Sequence, residues 1–178
     1  YKKRATFAVG RVSRDLGKES SIGAIYTDEE FAGGWNRIGG FDFNARINDK
    51  WTAFGQFVES STRGTVDSGN PPTYAAGPAS YLEFARSGHA FNLDTLYNDI
   101  STRFQSQVGF ISTSNIRNNQ THVNYQWFPK HSLLQSFGLE GNETFAFDHQ
   151  GNRVYRYLSG DPFFLLPRHI VIAPIISI

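Results

Sequence analysis

The chain has 178 residues, enough for one domain with a sizeable core, and 39% of them are hydrophobic and 15% aromatic. Its 17 Lys and Arg residues against 16 Asp and Glu leave a formal charge of +1, so no strong field favours nucleic acid as a partner. The absence of cysteine excludes disulfides and thiolate metal sites. No apolar run reaches the roughly 18–20 residues of a membrane helix, which excludes a helical membrane protein.

Alternating apolar and polar residues, separated by turn residues, occupy most of the chain and predict β-strands. Almost no stretch shows the 3.6-residue period of a helix. The predicted strands are residues 4–13, 20–27, 37–47, 51–61, 79–87, 90–98, 102–111, 120–128, 133–147 and 153–158.

The connections are predicted from turn-forming residues. Asn48-Asp49, Ser87-Gly88 and Pro129-Lys130 predict tight hairpins, and residues 148–152 predict a compact turn. Residues 28–36 and 61–79 predict long exposed loops. The connection near residues 98–101 is predicted to be short, which breaks an alternation of short and long connections along the chain.

The stretch FDFNARIND shows the alternation most clearly. Phe41, Phe43 and Ala45 fall on one side of the predicted strand, while charged and amide residues fall on the other. Similar polar sides recur in three further predicted strands, and we expect all four to line one surface that binds or conducts a ligand. The candidate residues are Asp42, Asn44, Arg46, Asn92, Asp94, Gln105, Gln107, His122, Asn124 and Gln126.

Two environments produce such a period: a soluble β-sandwich with an apolar core, or a membrane β-barrel with an apolar face toward lipid. Period alone does not separate them. The amide-rich polar sides favour the barrel, as does a girdle of aromatic residues near strand ends. The girdle candidates are Tyr26, Trp35, Trp51, Tyr81, Tyr97, Tyr125, Trp127 and Phe128.

The predicted fold is therefore all-β and antiparallel: an up-and-down β-barrel, or part of a larger barrel, with about ten strands. A β-sandwich or jelly roll is the alternative. Residues 1–178 are expected to form a single domain. Because the chain contains no methionine, we expect it to be a processed chain or a fragment of a longer one.

Several short motifs in this order resemble the C-terminal, barrel-like region of bacterial envelope proteins that carry an N-terminal carbohydrate-binding family 9-like module. The resemblance covers residues 4–160, and the order and spacing of the motifs carry it. It implies an outer-membrane location, a β-barrel and a link to glycan binding or uptake, and it names no catalytic residue. The motifs are Arg11-Val12 with Arg14-Asp15, Ser21-Ile22-Gly23-Ala24 with Thr27-Asp28, Asn36-Arg37, Gly109-Phe110 and Asp148-His149-Gln150-Gly151.

This chain departs from that family in three respects. It lacks the sugar-binding module, it holds only part of the expected number of strands, and its last residues do not form an alternating strand that ends in an aromatic residue. These departures leave open whether the strands close into a barrel within this chain.

The sequence contains no catalytic motif, and we expect neither an enzyme nor a cofactor or metal site. Glu140 and Glu143 are predicted to point to opposite faces of one strand, so they do not form a glycosidase pair. No serine-nucleophile, metal-ligand or phosphate-binding pattern occurs. Trp35 and Tyr74, placed in the two long predicted loops, are candidates for stacking on sugar rings.

The functional hypothesis is a passive pore or binding channel of the bacterial outer membrane, linked to glycan uptake or envelope structure. Its expected partners are the lipid bilayer and lipopolysaccharide, a glycan ligand, and partner chains of the same envelope complex. Lysine and arginine near strand ends could contact lipopolysaccharide phosphates, although solvated ends are the simpler interpretation: Arg4, Arg11, Arg14, Lys18, Arg37 and Arg63. The alternative is a periplasmic or secreted β-sandwich that binds carbohydrate, with a glycoside hydrolase on that sandwich a weaker third hypothesis.

Overall fold

The protein is an up-and-down antiparallel sheet in which each strand pairs with the next along the chain. The computed structural model describes residues 4–65, 73–109, 113–130, 133–174 and 176–177. The strands are β1 (Ala5–Asp15), β2 (Ser21–Phe31), β3 (Gly34–Arg46), β4 (Trp51–Arg63), β5 (Tyr74–Arg86), β6 (Phe91–Ile100), β7 (Ile116–Trp127), β8 (Ser136–Phe147), β9 (Arg153–Leu166) and β10 (Ile170–Ile172), with a 3₁₀ turn at Pro167–His169 between the last two.

These ten strands confirm the all-β, antiparallel, up-and-down prediction. The sheet is open, because no pairing joins β1 to β9 or β10 in the described part of the chain. Beyond β10, Ser177 pairs with Ser159 and the Gly160 N–H donates to the Ile176 carbonyl at 3.1 Å. Residues 176–177 therefore lie along β9. No helix of the described residues is long and apolar enough to cross a membrane.

The predicted long loop at residues 28–36 is wrong. Strand β2 continues to Phe31 and β3 begins at Gly34, so only Ala32 and Gly33 connect them. Both residues have positive φ, 53° and 81°, as a two-residue hairpin turn of type I′ requires. The acidic residues before the turn suggested a loop, but they are strand residues on alternating faces.

Of the other predicted connections, some are confirmed and others are wrong. The turns around Asn48-Asp49 and Ser87-Gly88 are short, and residues 148–152 form a compact turn. The Pro129-Lys130 hairpin is wrong, because β7 and β8 are separated by residues 128–135. The predicted loop 61–79 shrinks to residues 64–73, of which 66–72 lie outside the described residues.

The predicted strand at residues 102–111 is also wrong. Residues 102–109 are not strand, and 110–111 lie outside the described part. They belong to the connection between β6 and β7, residues 101–115, so the short connection predicted near residues 98–101 is wrong as well. The alternating residues that suggested a strand, with Phe104 and Val108 on one parity, belong instead to a segment folded onto the sheet.

Register places the side chains on two distinct faces. We call the face that carries Asp42 the polar face and the face that carries Phe41 the outer face. Phe41 is 50% exposed, whereas Asp42 is 6% exposed. All six buried polar residues of the described chain lie on the polar face by register: Asn36, Asp42, Ser60, Thr62, Ser136 and Ser159.

Two glycines show that the sheet bends toward the polar face. A Cβ added at Gly40 would overlap the Phe57 carbonyl oxygen of β4, and one at Gly138 would overlap the Tyr125 carbonyl oxygen of β7. Both positions point to the polar face by register. The neighbouring backbones thus approach on that side, as at the corners of curved sheets, and make the polar face concave.

Replacing Gly40 by alanine is expected to lower the free energy of unfolding by about 1–3 kcal/mol, because the added methyl group collides with the β4 backbone. The adjacent Gly39→Ala is the matched control, since its Cβ would meet nothing closer than Tyr26 Cδ2 at 3.9 Å. Urea unfolding followed by circular dichroism measures both. Equal stabilities for the two variants would contradict the bend.

Candidate functional site

The polar face gathers most of the predicted ligand-lining residues. Asp42, Asn44 and Arg46 alternate along β3 and share this face. Strands β6 and β7 place Asp94 opposite His122 and Asn92 opposite Asn124, with Gln126 two residues further along β7. The alternation of the sequence is enough to group these side chains, because antiparallel partners directly opposite each other point the same way.

Asp42 is held by an ion pair across the polar face. Arg11 of β1 donates from a guanidinium nitrogen to Asp42 Oδ1 at 2.7 Å. Between these strands, Gly23 leaves the space that the carboxylate fills, since a Cβ there would lie 2.9 Å from Asp42 Oδ2. Arg11 was considered as a strand-end contact for lipopolysaccharide phosphates, and its pairing with Asp42 places it on the polar face instead.

Arg46 lies on the polar face at the end of β3, beside the β3–β4 turn. It pairs with Glu19, and its guanidinium also approaches Asp49 Oδ1 at 3.4 Å. These groups, with Asn44, line a polar cavity of about 350 Å³. Arg46 is therefore neutralised by carboxylates from two neighbouring turns.

The polar face of β6 to β9 is rich in amides and hydroxyls. Asn142 Nδ2 donates to Ser159 Oγ at 3.2 Å, and Ser159 donates in turn to Asp161 at 3.0 Å. His122 Nε2 lies 3.2 Å from Glu140 Oε1. An open cavity of about 380 Å³ runs along this wall between Asp94 and Tyr157. Such groups both donate and accept hydrogen bonds, so this wall is suited to hydroxyl-bearing solutes.

Gln105 and Gln107 reach the polar face by a different route from the one predicted. They lie in residues 101–109, which we call the strap, and not on a strand. The strap crosses the polar face near the ends of β3, β4 and β5, where its backbone binds buried side chains. Gln105 donates its N–H to Ser60 Oγ at 3.0 Å and accepts from Asn36 Nδ2 at 3.0 Å.

The residues that hold the strap were missed by sequence reasoning. Asn36, Ser60 and Thr62 are among the most buried polar residues of the described chain. Asn36 was considered only as part of the family resemblance, and Ser60 and Thr62 had no distinguishing pattern. A signal for Asn36 would have been an amide near the start of a strand, on the same side as Asp42.

Aromatic residues divide between the two faces. By register, Phe54 and Tyr81 lie on the polar face, with ring centroids 5.7 Å apart, and the Tyr81 hydroxyl donates to Glu83 at 2.8 Å. Tyr81 was predicted as a girdle residue, and this placement is wrong. Its ring instead lies beside amide and carboxylate side chains, a combination that suits sugar binding.

Trp35 and Tyr74 are not loop residues, which removes the reason for choosing them as sugar-stacking candidates. Trp35 belongs to β3 and Tyr74 begins β5, and register places both on the outer face. Arg37 lies 4.7 Å above the Trp35 ring, and Arg63 lies 6.0 Å from the Tyr74 ring centroid. Each aromatic ring is thus paired with an arginine at the same end of strands β3 to β5.

The outer face is apolar along the middle of the strands. Phe41 stacks on Phe57 with centroids 5.1 Å apart, and Leu82 lies on the same face. Glu143 on β8 and Arg156 on β9 interrupt the apolar surface. Aromatic rings form a band at the end of the strands that carries the β3–β4, β5–β6 and β7–β8 connections. The members of the band are Trp51, Phe84, Tyr125, Trp127 and Phe137.

The DHQGN turn is built around the Asp148 carboxylate. It accepts hydrogen bonds from Asn152 Nδ2 at 2.8 Å, from the Asn152 N–H at 2.7 Å and from the Gln150 N–H at 3.0 Å. These bonds, the Asn152 side chain first, lower the pKa of Asp148 below its ordinary value of 3.8. Gly151, with φ of 89°, supplies the left-handed residue of the turn.

His149 connects this turn to the neighbouring strands. Its Nε2 lies 2.9 Å from Asp99 Oδ1, and its Nδ1 lies 3.1 Å from Asn115 Oδ1. Asn115 precedes β7 and also approaches Thr102 of the strap at 3.5 Å. The cluster therefore fixes both ends of the β6–β7 connection.

Among the described residues, no group of three or more His, Asp or Glu side chains is placed to hold a metal ion. Glu140 lies on the polar face and Glu143 on the outer face, as their spacing predicted. Comparison with protein-family models, with curated proteins and with solved structures found no match.

Removing the Arg11 side chain is expected to destabilise the sheet by about 1 kcal/mol, because it leaves the buried Asp42 carboxylate without its charged donor. The double variant Arg11→Ala/Asp42→Asn should recover most of that loss, and Arg14→Ala on the other face is the control. Chemical denaturation measures the free energy of unfolding of the wild type and of these three variants. A double variant less stable than Arg11→Ala would contradict this role.

Asp148→Ala is expected to lower the thermal midpoint at neutral pH, since the turn loses its ionised acceptor. Because the folded-state pKa is lowered, this stabilisation is present above pH 3.8 and disappears as the pH falls through the folded-state value. Thermal midpoints from pH 7 down to pH 2 should therefore converge for the two proteins. A constant difference over that range would show that the charge has no role, and Asp15→Ala serves as the control.

Proposed function

We propose that this chain forms the wall of a bacterial outer-membrane β-barrel whose polar face lines a water-filled lumen. Its role is a passive pore or binding channel linked to glycan uptake or envelope structure. The observation that carries the proposal is the reversed burial of the two faces. Tyr26, Phe41 and Leu158 of the outer face are exposed in the middle of their strands, while Asp42, Asn36 and Ser60 are enclosed.

In water this arrangement is unfavourable. Each large apolar side chain left in solvent loses about 1.5–3 kcal/mol that burial would give, and a soluble sheet places its apolar face against a second layer. In lipid the cost disappears, because the outer face then contacts hydrocarbon while the polar face keeps its water. The concave bend at Gly40 and Gly138 supports the same assignment.

The outer face also has the features expected at the two borders of a bilayer. An aromatic band lies at one end, as interfacial Trp and Tyr residues do. At the other end, Arg37 and Arg63 lie beside Trp35 and Tyr74. These arginines are the candidates for contact with lipopolysaccharide phosphates, although Arg37 also pairs with Asp28 and Glu30, each at 3.1 Å.

The open edges are part of the proposal. The N–H and C=O groups along the free sides of β1 and β10 cannot stay unpaired in hydrocarbon. In the membrane these edges would pair with each other or with further strands, either of a longer chain or of partner chains in the same envelope complex.

A soluble carbohydrate-binding protein is the second candidate, favoured by the Phe54–Tyr81 pair beside Glu83 on the concave face. It differs from the barrel in its expected solubility without detergent. A protein that is monodisperse in buffer without detergent, and that retains glycan binding there, would support this candidate and contradict the barrel.

Arginine substitutions on the two faces test the membrane assignment. Phe41→Arg should lower the free energy of unfolding in lipid vesicles by about 2–4 kcal/mol, because it places a charge at the lipid-facing middle of β3. Asn44→Arg, three residues along on the polar face, should change it by less than about 0.5 kcal/mol. Urea unfolding of both variants in vesicles measures the difference. If Phe41→Arg is as mild as Asn44→Arg, the outer face does not contact lipid.

A further inference from the structure

We propose that the strap, residues 101–109, is the selectivity element of the polar face and that it favours small, uncharged, hydroxyl-rich solutes. This inference rests on the proposed channel function and names the solute class of that channel. It starts from the way in which buried side chains of the sheet hold a non-strand segment on the concave side.

Asn36 uses every polar atom of its amide to hold the strap. Its Nδ2 donates to the Gln105 carbonyl at 3.0 Å and to Thr62 Oγ1 at 2.7 Å, and its Oδ1 accepts the Gln107 N–H at 3.2 Å. The side chain has no exposed surface. A buried amide with all these partners is a specific anchor, since loss of any partner would leave a buried polar group unsatisfied.

Ser60 and Gly77 complete the anchor from β4 and β5. Ser60 Oγ accepts the Gln105 N–H at 3.0 Å and donates to the Gly77 carbonyl at 3.3 Å. A Cβ on Gly77 would lie 2.9 Å from the Phe104 nitrogen and 3.0 Å from the Arg103 carbonyl carbon. The strap backbone therefore lies directly against β5, where only glycine leaves room for it.

Phe104 adds an apolar contribution. It is one of three buried hydrophobic residues in the described chain and is 5% exposed. Its burial removes the one large ring of residues 101–107 from the solvent side. The strap is thus held mainly through backbone hydrogen bonds and one apolar side chain, and the Gln105 and Gln107 side chains remain exposed.

The exposed side chains of the strap indicate which class of solute it favours. Gln105 and Gln107 are both exposed. Arg103 is the one charged residue of the strap, and its guanidinium donates to the Tyr74 carbonyl at 3.2 Å. By register, Asn98 and Asn118 lie opposite each other on the polar face of β6 and β7. Amides donate and accept hydrogen bonds without net charge, so they match hydroxyl groups better than ionised groups.

The first test displaces the strap. Gly77→Ala should push the strap off β5, with Gly10→Ala as the control because a Cβ there would meet nothing within 4 Å. The chain has no cysteine, so Phe104→Cys introduces a single reporter thiol. Its reaction with a maleimide should be at least about tenfold faster with Gly77→Ala than with Gly10→Ala. Equal labelling rates would overturn the anchored strap, and this result does not depend on channel activity.

The second test measures solute passage through the full chain in liposomes by swelling rates. The wild type should pass a neutral hexose several-fold faster than an amino sugar or a sugar acid of similar size, and Gly77→Ala should reduce that preference. A wild type that admits no solute overturns the channel itself. Passage without preference for the neutral sugar, or a preference unchanged in Gly77→Ala despite rapid thiol labelling, overturns the selectivity inference alone.

Charge substitution at exposed positions covers the case in which Gly77→Ala does not fold. Gln105→Glu/Gln107→Glu should raise the ratio of potassium to chloride permeability several-fold in planar bilayers at low salt. Thr113→Glu lies in the same connection outside the strap and should leave the ratio near that of the wild type. If Gln105→Glu/Gln107→Glu and Thr113→Glu gave equal permeability ratios, the strap would not be the selectivity element.

Discussion

The two-residue period of the strands places alternate side chains on two faces, and the rest of the structure depends on which face is enclosed. Here it is the polar one. Asp42 is almost fully buried while the adjacent Phe41 is half exposed, and the same contrast separates Asn36 from Trp35. Buried polar groups must find hydrogen-bond partners, so the enclosed face acquires the ion pair, the amide network and the strap.

Glycine makes this enclosure sterically possible. At Gly40 and Gly138 the sheet bends toward the polar face, at Gly23 the missing side chain makes room for the Asp42 carboxylate, and at Gly77 it makes room for the strap. These residues have different neighbours, but each removes a Cβ from the concave side. A curved sheet with a polar interior needs such positions, because its side chains converge there.

The strap illustrates how a connection acquires a defined position without secondary structure. A strand is held by a ladder of backbone hydrogen bonds, whereas residues 101–109 are held by side chains of the strands beneath them. Asn36 acts as a substitute for a neighbouring strand, since its amide offers one donor and one acceptor to two backbone groups. The price is full burial of an amide, which is tolerated because each of its polar atoms is paired.

Strand identity was largely predictable from the sequence, because period two is a local property. The side of β3 on which Asp42, Asn44 and Arg46 lie, and the opposition of Glu140 to Glu143, both follow from counting residues. The same counting failed for residues 102–109, where alternating apolar residues imitate a strand. It failed again at Ala32-Gly33, where a left-handed turn replaces a loop that composition suggested. The first error could not be seen locally, since the strap is held by partners distant in sequence. The second concerns a local turn, in which Phe31 pairs with Gly34.

The sequence by itself determined that this protein is an antiparallel sheet with one apolar and one amide-rich face, because the alternation of apolar and polar residues is a local property of the sequence. Only the tertiary structure decided that the polar face is the concave one, that Arg11 pairs with Asp42, and that the strap lies on Asn36, Ser60 and Gly77. The physical reason is that curvature and strap position result from contacts between residues separated by tens of positions along the chain. No local pattern encodes the close backbone approach that each of these contacts requires.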